Sequence, residues 1–248
     1  DLFDREQYRD WHGQEPPASW REATPDDIRA AAQGQTPDVV VVTAPCKGFS
    51  GLLSQEKSES RRYQALNRLT FRGMFLALEA WKDNLPAFFL FENVPRIATR
   101  GKRFLREIKG LLRAYGYVWD ERHHDCGELG GLAQRRRRYL LVARNPAKVS
   151  SYLYHPPRQR VRAIGEVLSE LPMPDDPAAG PLHRLPRLTW KTWVRLALIP
   201  PGGDWRDLQR VKGGEYLIQP YMRDGETHPN KYRVCRWDEA APTVTGSR

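Results

Sequence analysis

The stretch that most restricts the fold is "PDVVVVTAPC", residues 37–46. Four consecutive valines are stiff at χ1, which disfavours helix and suits a pleated strand. The run is unbroken rather than alternating, so it predicts a strand buried on both faces, as in a parallel sheet between helical layers. The strand stops near Thr43, and Ala44 and Pro45 lead directly to Cys46, with Gly48 close behind. A cysteine used only for packing would sit inside the strand. Cys46 sits at the strand's exit, in a loop framed by proline and glycine, where another molecule can reach it.

The elements around this strand follow from periodicity. Residues 24–33, "TPDDIRAAAQ", carry a helix start, with Thr24 as the cap and Pro25 at the first helical position. From about residue 62 to 82, Leu66, Leu69, Gly73, Met74, Ala77, Leu78 and Trp81 recur at helical spacing. "AFFLFEN", residues 87–93, reads as a second buried strand. Phe104, Leu105, Ile108, Leu111, Leu112 and Tyr115 form one apolar stripe, which predicts an amphipathic helix over 102–115. "YVWDERHH" and "RRYLLVAR" read as two more strands. The order strand, helix, strand, helix, strand, strand predicts an α/β domain with a mostly parallel sheet. After about Pro146 the chain becomes rich in Pro, Gly, Trp and Arg, with one helix near 162–170 and a turn-rich loop at 199–208. The expected organisation is a main domain over 1–146, a smaller region over 147–232, and a return segment over 233–248.

Composition narrows the partner. Lys and Arg number 40 against 30 Asp and Glu, a formal charge of +10. An excess of this size suits a polyanion, most often nucleic acid, although it also aids solubility. The 3 cysteines lie far apart and form no disulfide framework, which places the chain in a reducing cytosol. No apolar stretch approaches the roughly 18 residues of a membrane span, and the first residues do not read as a signal peptide. The chain begins with Asp, so it is expected to be part of a longer protein.

Three features converge on one sheet edge. Ligands of open α/β sheets bind outside the carboxyl ends of the parallel strands. Cys46 follows the end of the first strand, and Glu92 and Asn93 end the second. If the last strand runs antiparallel, its beginning lies at the same edge, and Arg136 and Arg138 project to one side. Taken singly, each has a plain structural reading: a small buried thiol, a turn-capping carboxylate, a solvated run of arginines. "HHDC", residues 123–126, invites a metal reading. However, adjacent histidines in a strand point opposite ways and no second ligand pair follows, so no metal is expected.

With these residues in place, the chain resembles the DNA (cytosine-5) methyltransferases. "APCKGFS" is similar to their Pro-Pro-Cys-Gln-Gly-Phe-Ser loop, "FENVPRI" to their Glu-Asn-Val motif, and "GGLAQRRRRYLLVA" to their Gln-x-Arg-x-Arg motif at Gln134, Arg136 and Arg138. "RVCRWDEAAPTVTGSR" resembles the segment after their target-recognition region. The order and spacing agree over about residues 36–248. Ala44 and Lys47 depart from the loop's usual proline and glutamine. The family's Phe-x-Gly-x-Gly cofactor loop and its closing Gly-Asn-Ser/Ala-Val motif have no counterpart in the sequence.

The resemblance implies a Rossmann-like S-adenosylmethionine-dependent methyltransferase fold, mostly parallel with an antiparallel strand, plus a small target-recognition domain. It implies that Cys46 adds to C6 of cytosine, that protonated Glu92 hydrogen-bonds N3, and that Arg138, with Arg136, holds O2. The base must leave the duplex stack to be reached. Asp1, Pro45 and Leu69 fall where cofactor contacts are made in the family. Ser50, Gln134, Arg135 and Arg137 are the expected DNA contacts, and Trp190, Trp193, Arg184, Arg187 and Arg195 are candidates either for reading sequence or for that domain's own core and surface. The implied setting is a cytoplasmic, monomeric enzyme on double-stranded DNA, of prokaryotic or phage origin, alongside a cognate restriction endonuclease. A silent DNA-binding relative and an RNA cytosine-5 methyltransferase stay open as competing readings.

Overall fold

The computed structural model describes residues 2–43, 49, 55–150, 156–214, 216–218 and 232–243. The chain divides into two compact units, one of Asp1–Asp125 with Arg137–Pro156, the other of Cys126–Arg136 with Pro157–Arg248.

The first unit is built on four strands: β1 (Val39–Thr43), β2 (Phe88–Asn93), β3 (Val118–Asp125) and β4 (Arg137–Arg144). Their spatial order is β1-β2-β4-β3. β1 runs parallel to β2, in a register that sets Val39 beside Phe88 and Thr43 beside Glu92. β4 is inserted between β2 and β3 and is antiparallel to both. Three strands therefore point one way and one points back, as the resemblance implied.

The helices of this unit are α1 (Arg5–His12), α2 (Pro25–Ala31), α3 (Gln55–Glu59), α4 (Arg61–Ala80), α5 (Ile97–Arg100) and α6 (Lys102–Ala114). α2 starts where its signals placed it. The Thr24 side chain accepts from the Asp27 N–H, and the Asp27 carboxylate accepts in return from the Thr24 N–H. α4 and α6 turn their apolar stripes onto the sheet. Met74 and Leu78 of α4 and Ile108 and Leu112 of α6 bury against Phe89 and Phe91 of β2 and Leu141 and Ala143 of β4. Tyr117, just before β3, donates its hydroxyl to the Pro86 carbonyl at 2.6 Å, and burial pushes that hydroxyl's pKa up.

One expectation fails here. The valine run reads as buried on both faces, yet Val39 is 46% and Val41 62% exposed. Val40 and Val42 pack on the core. The cause is position: β1 is the outermost strand, and the helices that build the core lie on the Val40/Val42 face. A run of identical residues carries no alternation, so the sequence could not show which face was covered.

The second unit contains α7 (Cys126–Gly130), α8 (Ile164–Leu168), α9 (Trp190–Leu198) and a 3₁₀ turn over Trp205–Arg210. Its small core joins Ile199, Leu208, Leu217 and Ile218, with Val194 and Trp205 against them. Gly165 opens onto the Trp237 ring, and a Cβ there would come within 2.2 Å of the indole nitrogen, so any larger residue would displace the ring. Among the described residues, no helix is long and apolar enough to cross a membrane.

Candidate active site

The site grows from the carboxyl end of β2. Strand parity sends Phe89 and Phe91 into the core and leaves Glu92 on the opposite face. The next residue, Asn93, is 2% exposed, and its side-chain oxygen accepts the Val94 N–H at 2.9 Å. That bond turns the chain out of the sheet through Pro95 into α5, and it fixes Glu92 as the last outward-facing residue before the turn.

β4 brings the partner. Its register sets Leu140 beside Glu92, and Arg138, two residues earlier, shares that face. Arg138 Nε lies 2.7 Å from Glu92 Oε1. Arg138 also donates through Nη1 to the carbonyl of Arg137 at 2.8 Å, so the guanidinium is held at two points. Thr43, the last residue of β1, is level with Glu92. The sheet edge therefore gathers the end of β1, the Glu92 carboxylate and the Arg138 guanidinium. Cys46, Pro45 and Ser50 lie outside the described residues, as does Asp1.

The arginine run is divided. The strand starts at Arg137, and just before it the Arg136 carbonyl accepts the Cys126 N–H at 3.0 Å. Gln134, Arg135 and Arg136 belong to the second unit, where Gln134 and Arg135 tie down the return segment. The Gln134 side-chain amide donates to the Pro242 carbonyl at 3.3 Å, the Arg135 N–H donates to the Ala241 carbonyl at 2.8 Å, and the Thr243 hydroxyl donates to the Arg135 carbonyl at 3.0 Å. Gln134 and Ala241 form a parallel bridge. Arg135 also approaches Glu128 at 4.0 Å. Sequence reasoning missed this clasp because its halves lie 108 residues apart.

Of the residues proposed to read sequence, Arg184, Arg187 and Trp190 are exposed, Trp190 by 80%. Arg195 is not available: it is 3% exposed, its Nε donates to the Leu217 carbonyl at 2.8 Å, and its guanidinium lies over the Tyr232 ring. The helix stripe of α9 turns Arg195 inward, so it serves the second unit's interior rather than a ligand.

Of the expected cofactor contacts, Leu69 alone is described, half-buried on α4. Asn67, two residues earlier on the same helix, is buried with neither side-chain amide atom hydrogen-bonded. These two residues do not by themselves make a cofactor cradle.

A second polar network, unforeseen from sequence, sits on the other face of the sheet. Glu121 of β3 accepts from Lys109 Nζ at 2.6 Å and from the Tyr139 hydroxyl. Burial opposes its ionisation, but these two donors hold its carboxyl below the usual range. Burial and the neighbouring carboxylate push the Tyr139 hydroxyl upward, so it stays a donor.

A three-strand parallel set with one reversed strand inserted, carrying its polar residues at the carboxyl edge, defines the class as a Rossmann-like methyltransferase domain. A putative DNA modification methyltransferase encoded within an Escherichia coli prophage shares this fold over 98% of this chain and 73% of its own, with a TM-score of 0.51 and 16% identity. The chain belongs to the C-5 cytosine-specific DNA methylase family, whose description matches residues 8–175. A type II methylase from Herpetosiphon aurantiacus, M.HgiDII, is 25% identical over 213 residues, covering 84% of this chain and 56% of its own length. The type II methyltransferase M.Eco47II of Escherichia coli is 26% identical over 215 residues, covering 85% of this chain and 48% of its own. The chain thus spans about half the length of the curated relatives it matches.

Proposed function

We propose that this chain carries the nucleophile and the base-binding pair of a DNA cytosine-5 methyltransferase. The observation that carries the reading is the Glu92–Arg138 pair, 2.7 Å apart at the edge where β1 ends, three residues before Cys46 in sequence. Cytosine C5 is a weak nucleophile. Addition of the Cys46 thiolate to C6 forms an Sγ–C6 bond and moves the ring's π electrons toward C5, N3 and O2. Glu92, when protonated, donates to N3, and the Arg138 guanidinium donates to O2, so the developing charge meets preorganised donors. S-adenosylmethionine, the donor that family and fold imply, supplies the methyl group when bound. Loss of the C5 proton then expels Cys46. The target base reaches this edge only when flipped from the duplex.

In this reading the second unit is the target-recognition region. Exposed Arg184, Arg187 and Trp190 approach bases or phosphates, while the Gln134–Ala241 clasp holds the return segment. Arg135 and Arg137 contact flanking phosphates. Activity on double-stranded DNA, a cytoplasmic setting and service beside a restriction endonuclease follow from the same reading.

The test is covalent trapping. DNA carrying 5-fluorocytosine has no C5 proton to lose, so the adduct persists. With S-adenosylmethionine present, the protein carrying this sequence forms a denaturation-resistant complex, and Cys46→Ser abolishes it. An equal yield from Cys46→Ser would overturn the assignment of the nucleophile.

A further inference from the structure

The sheet face opposite Glu92 carries a cleft that the methylation chemistry does not use. It lies between α6 and β3 and encloses about 580 Å³. Leu105 and Tyr139 form its apolar floor, and Lys102, Arg106 and Lys109 line one wall, with Glu121 the carboxylate in the lining. Its charges are unevenly matched. Lys109 is paired with Glu121 at 2.6 Å, and Arg122, also at the cleft, is paired with Asp120 at 2.9 Å. Lys102 and Arg106 are exposed and have no ion pair among the described residues. One helical turn separates them, so both heads rise from the same face of α6 at a spacing of about 6 Å between Cβ atoms.

Two further features make these charges unusual. α6 has no acid in its first turn and no side-chain cap, and it begins instead with Lys102 and Arg103. Cations at the positive end of a helix dipole are unfavourable unless an anion sits nearby. Arg103 is compensated by Glu107 at 3.2 Å, which leaves Lys102 and Arg106 as the uncompensated pair.

We propose that this cleft is a second DNA contact, which takes the phosphodiester backbone of the duplex with Lys102 and Arg106 on successive phosphates and the apolar floor against deoxyribose. The proposal rests on the DNA-methylase reading but assigns a site on the opposite sheet face from Glu92 and Arg138. Both ligand groups are sequence-independent, so the cleft adds affinity and leaves target choice to other residues.

The test is a salt series of duplex-DNA affinity by fluorescence anisotropy. It compares wild type, the double variant Lys102→Ala/Arg106→Ala, and Arg5→Ala/Arg9→Ala. The last pair has the same net charge change, but its arginines are already bonded to Glu15. Loss of two phosphate contacts flattens the slope of log affinity against log salt by about 1.8 in the cleft variant, equally on cognate and unrelated sequences. The control keeps the wild-type slope. Because both cleft residues are exposed and unpaired, the variant's melting temperature stays at the wild-type value, which separates lost contact from lost fold. If wild type binds duplex DNA and the cleft variant shares its slope, the cleft is not a DNA site and the methylase reading stands. The cleft is likewise excluded if the cleft and control variants lose slope equally. If wild type does not bind duplex DNA at all, both the cleft and the wider reading fail.

Discussion

Arg138 reaches Glu92 across two antiparallel strands, Nε to Oε1 at 2.7 Å, although the two residues are separated by the whole of α5, α6 and β3. The contact exists because β4 folds back between β2 and β3 and brings its first residues to the edge where β2 ends. One strand reversal thus delivers a carboxyl and a guanidinium to the same side of one sheet edge, each with its face set by strand parity.

The pair predicts a split between chemistry and binding. Arg138→Ala should slow adduct formation on 5-fluorocytosine DNA by about 100-fold, the usual cost of one oxyanion donor, while duplex affinity changes little. Arg138→Lys should recover little of the rate, because an ammonium lacks the planar fork that reaches O2 and Glu92 together. Arg135→Ala should do the reverse and weaken binding while sparing the rate at saturating DNA. Trapping kinetics and anisotropy titration measure the two, and equal effects of Arg138→Ala on both would place Arg138 on the phosphates instead.

Glu121 predicts an acid-side loss of stability. Lys109 and Tyr139 hold its carboxyl below the ordinary range in the folded chain, so the unfolded chain binds the proton at higher pH. Stability from this group is complete above the unfolded value, about pH 4.3, and is lost as pH falls through the lower folded value. Thermal melts across that window should fall more steeply for wild type than for Glu121→Gln, which no longer titrates. Parallel curves would mean that the contacts add no linkage.

Much of this site could be read in advance because it depends on strand ends and parity. The "FENV" stretch placed Glu92 at a strand terminus, and an antiparallel last strand was enough to bring Arg138 beside it. What could not be read was anything set by long-range pairing. Arg195 stayed open between a sequence-reading contact and that domain's own interior, and α9 turns it inward to Leu217 and Tyr232. Tyr139 falls within the "RRYLLVAR" strand, but its bond to Glu121 depends on the β3–β4 register, which no local pattern encodes.

The clasp around Gln134 gives a prediction for the second unit. Gln134→Ala removes the amide that donates to the Pro242 carbonyl and should cost about 1 kcal/mol. Thr243→Val should cost a similar amount through the lost bond to Arg135. The double variant should lose less than the sum, because both bonds hold the same short segment. Chemical denaturation of the four proteins completes the cycle, and strict additivity would show that the two bonds act separately.

Burial is uneven across the sheet, and two substitutions should expose the difference. Phe89 is fully buried between α4, α6 and the sheet, whereas Val41, on the neighbouring strand, faces away from that core and is 62% exposed. Phe89→Ala removes a whole phenyl ring from a close-packed site and should cost about 3–5 kcal/mol, transfer and cavity terms together. Val41→Ala removes two methyl groups that already meet solvent and should stay within about 0.5 kcal/mol of wild type. The sequence alone would not separate them, since "VVVV" and "AFFLFEN" both read as buried strands. Urea denaturation of both variants decides: a Val41→Ala cost as large as that of a core valine would mean that the outer face of β1 is covered in solution.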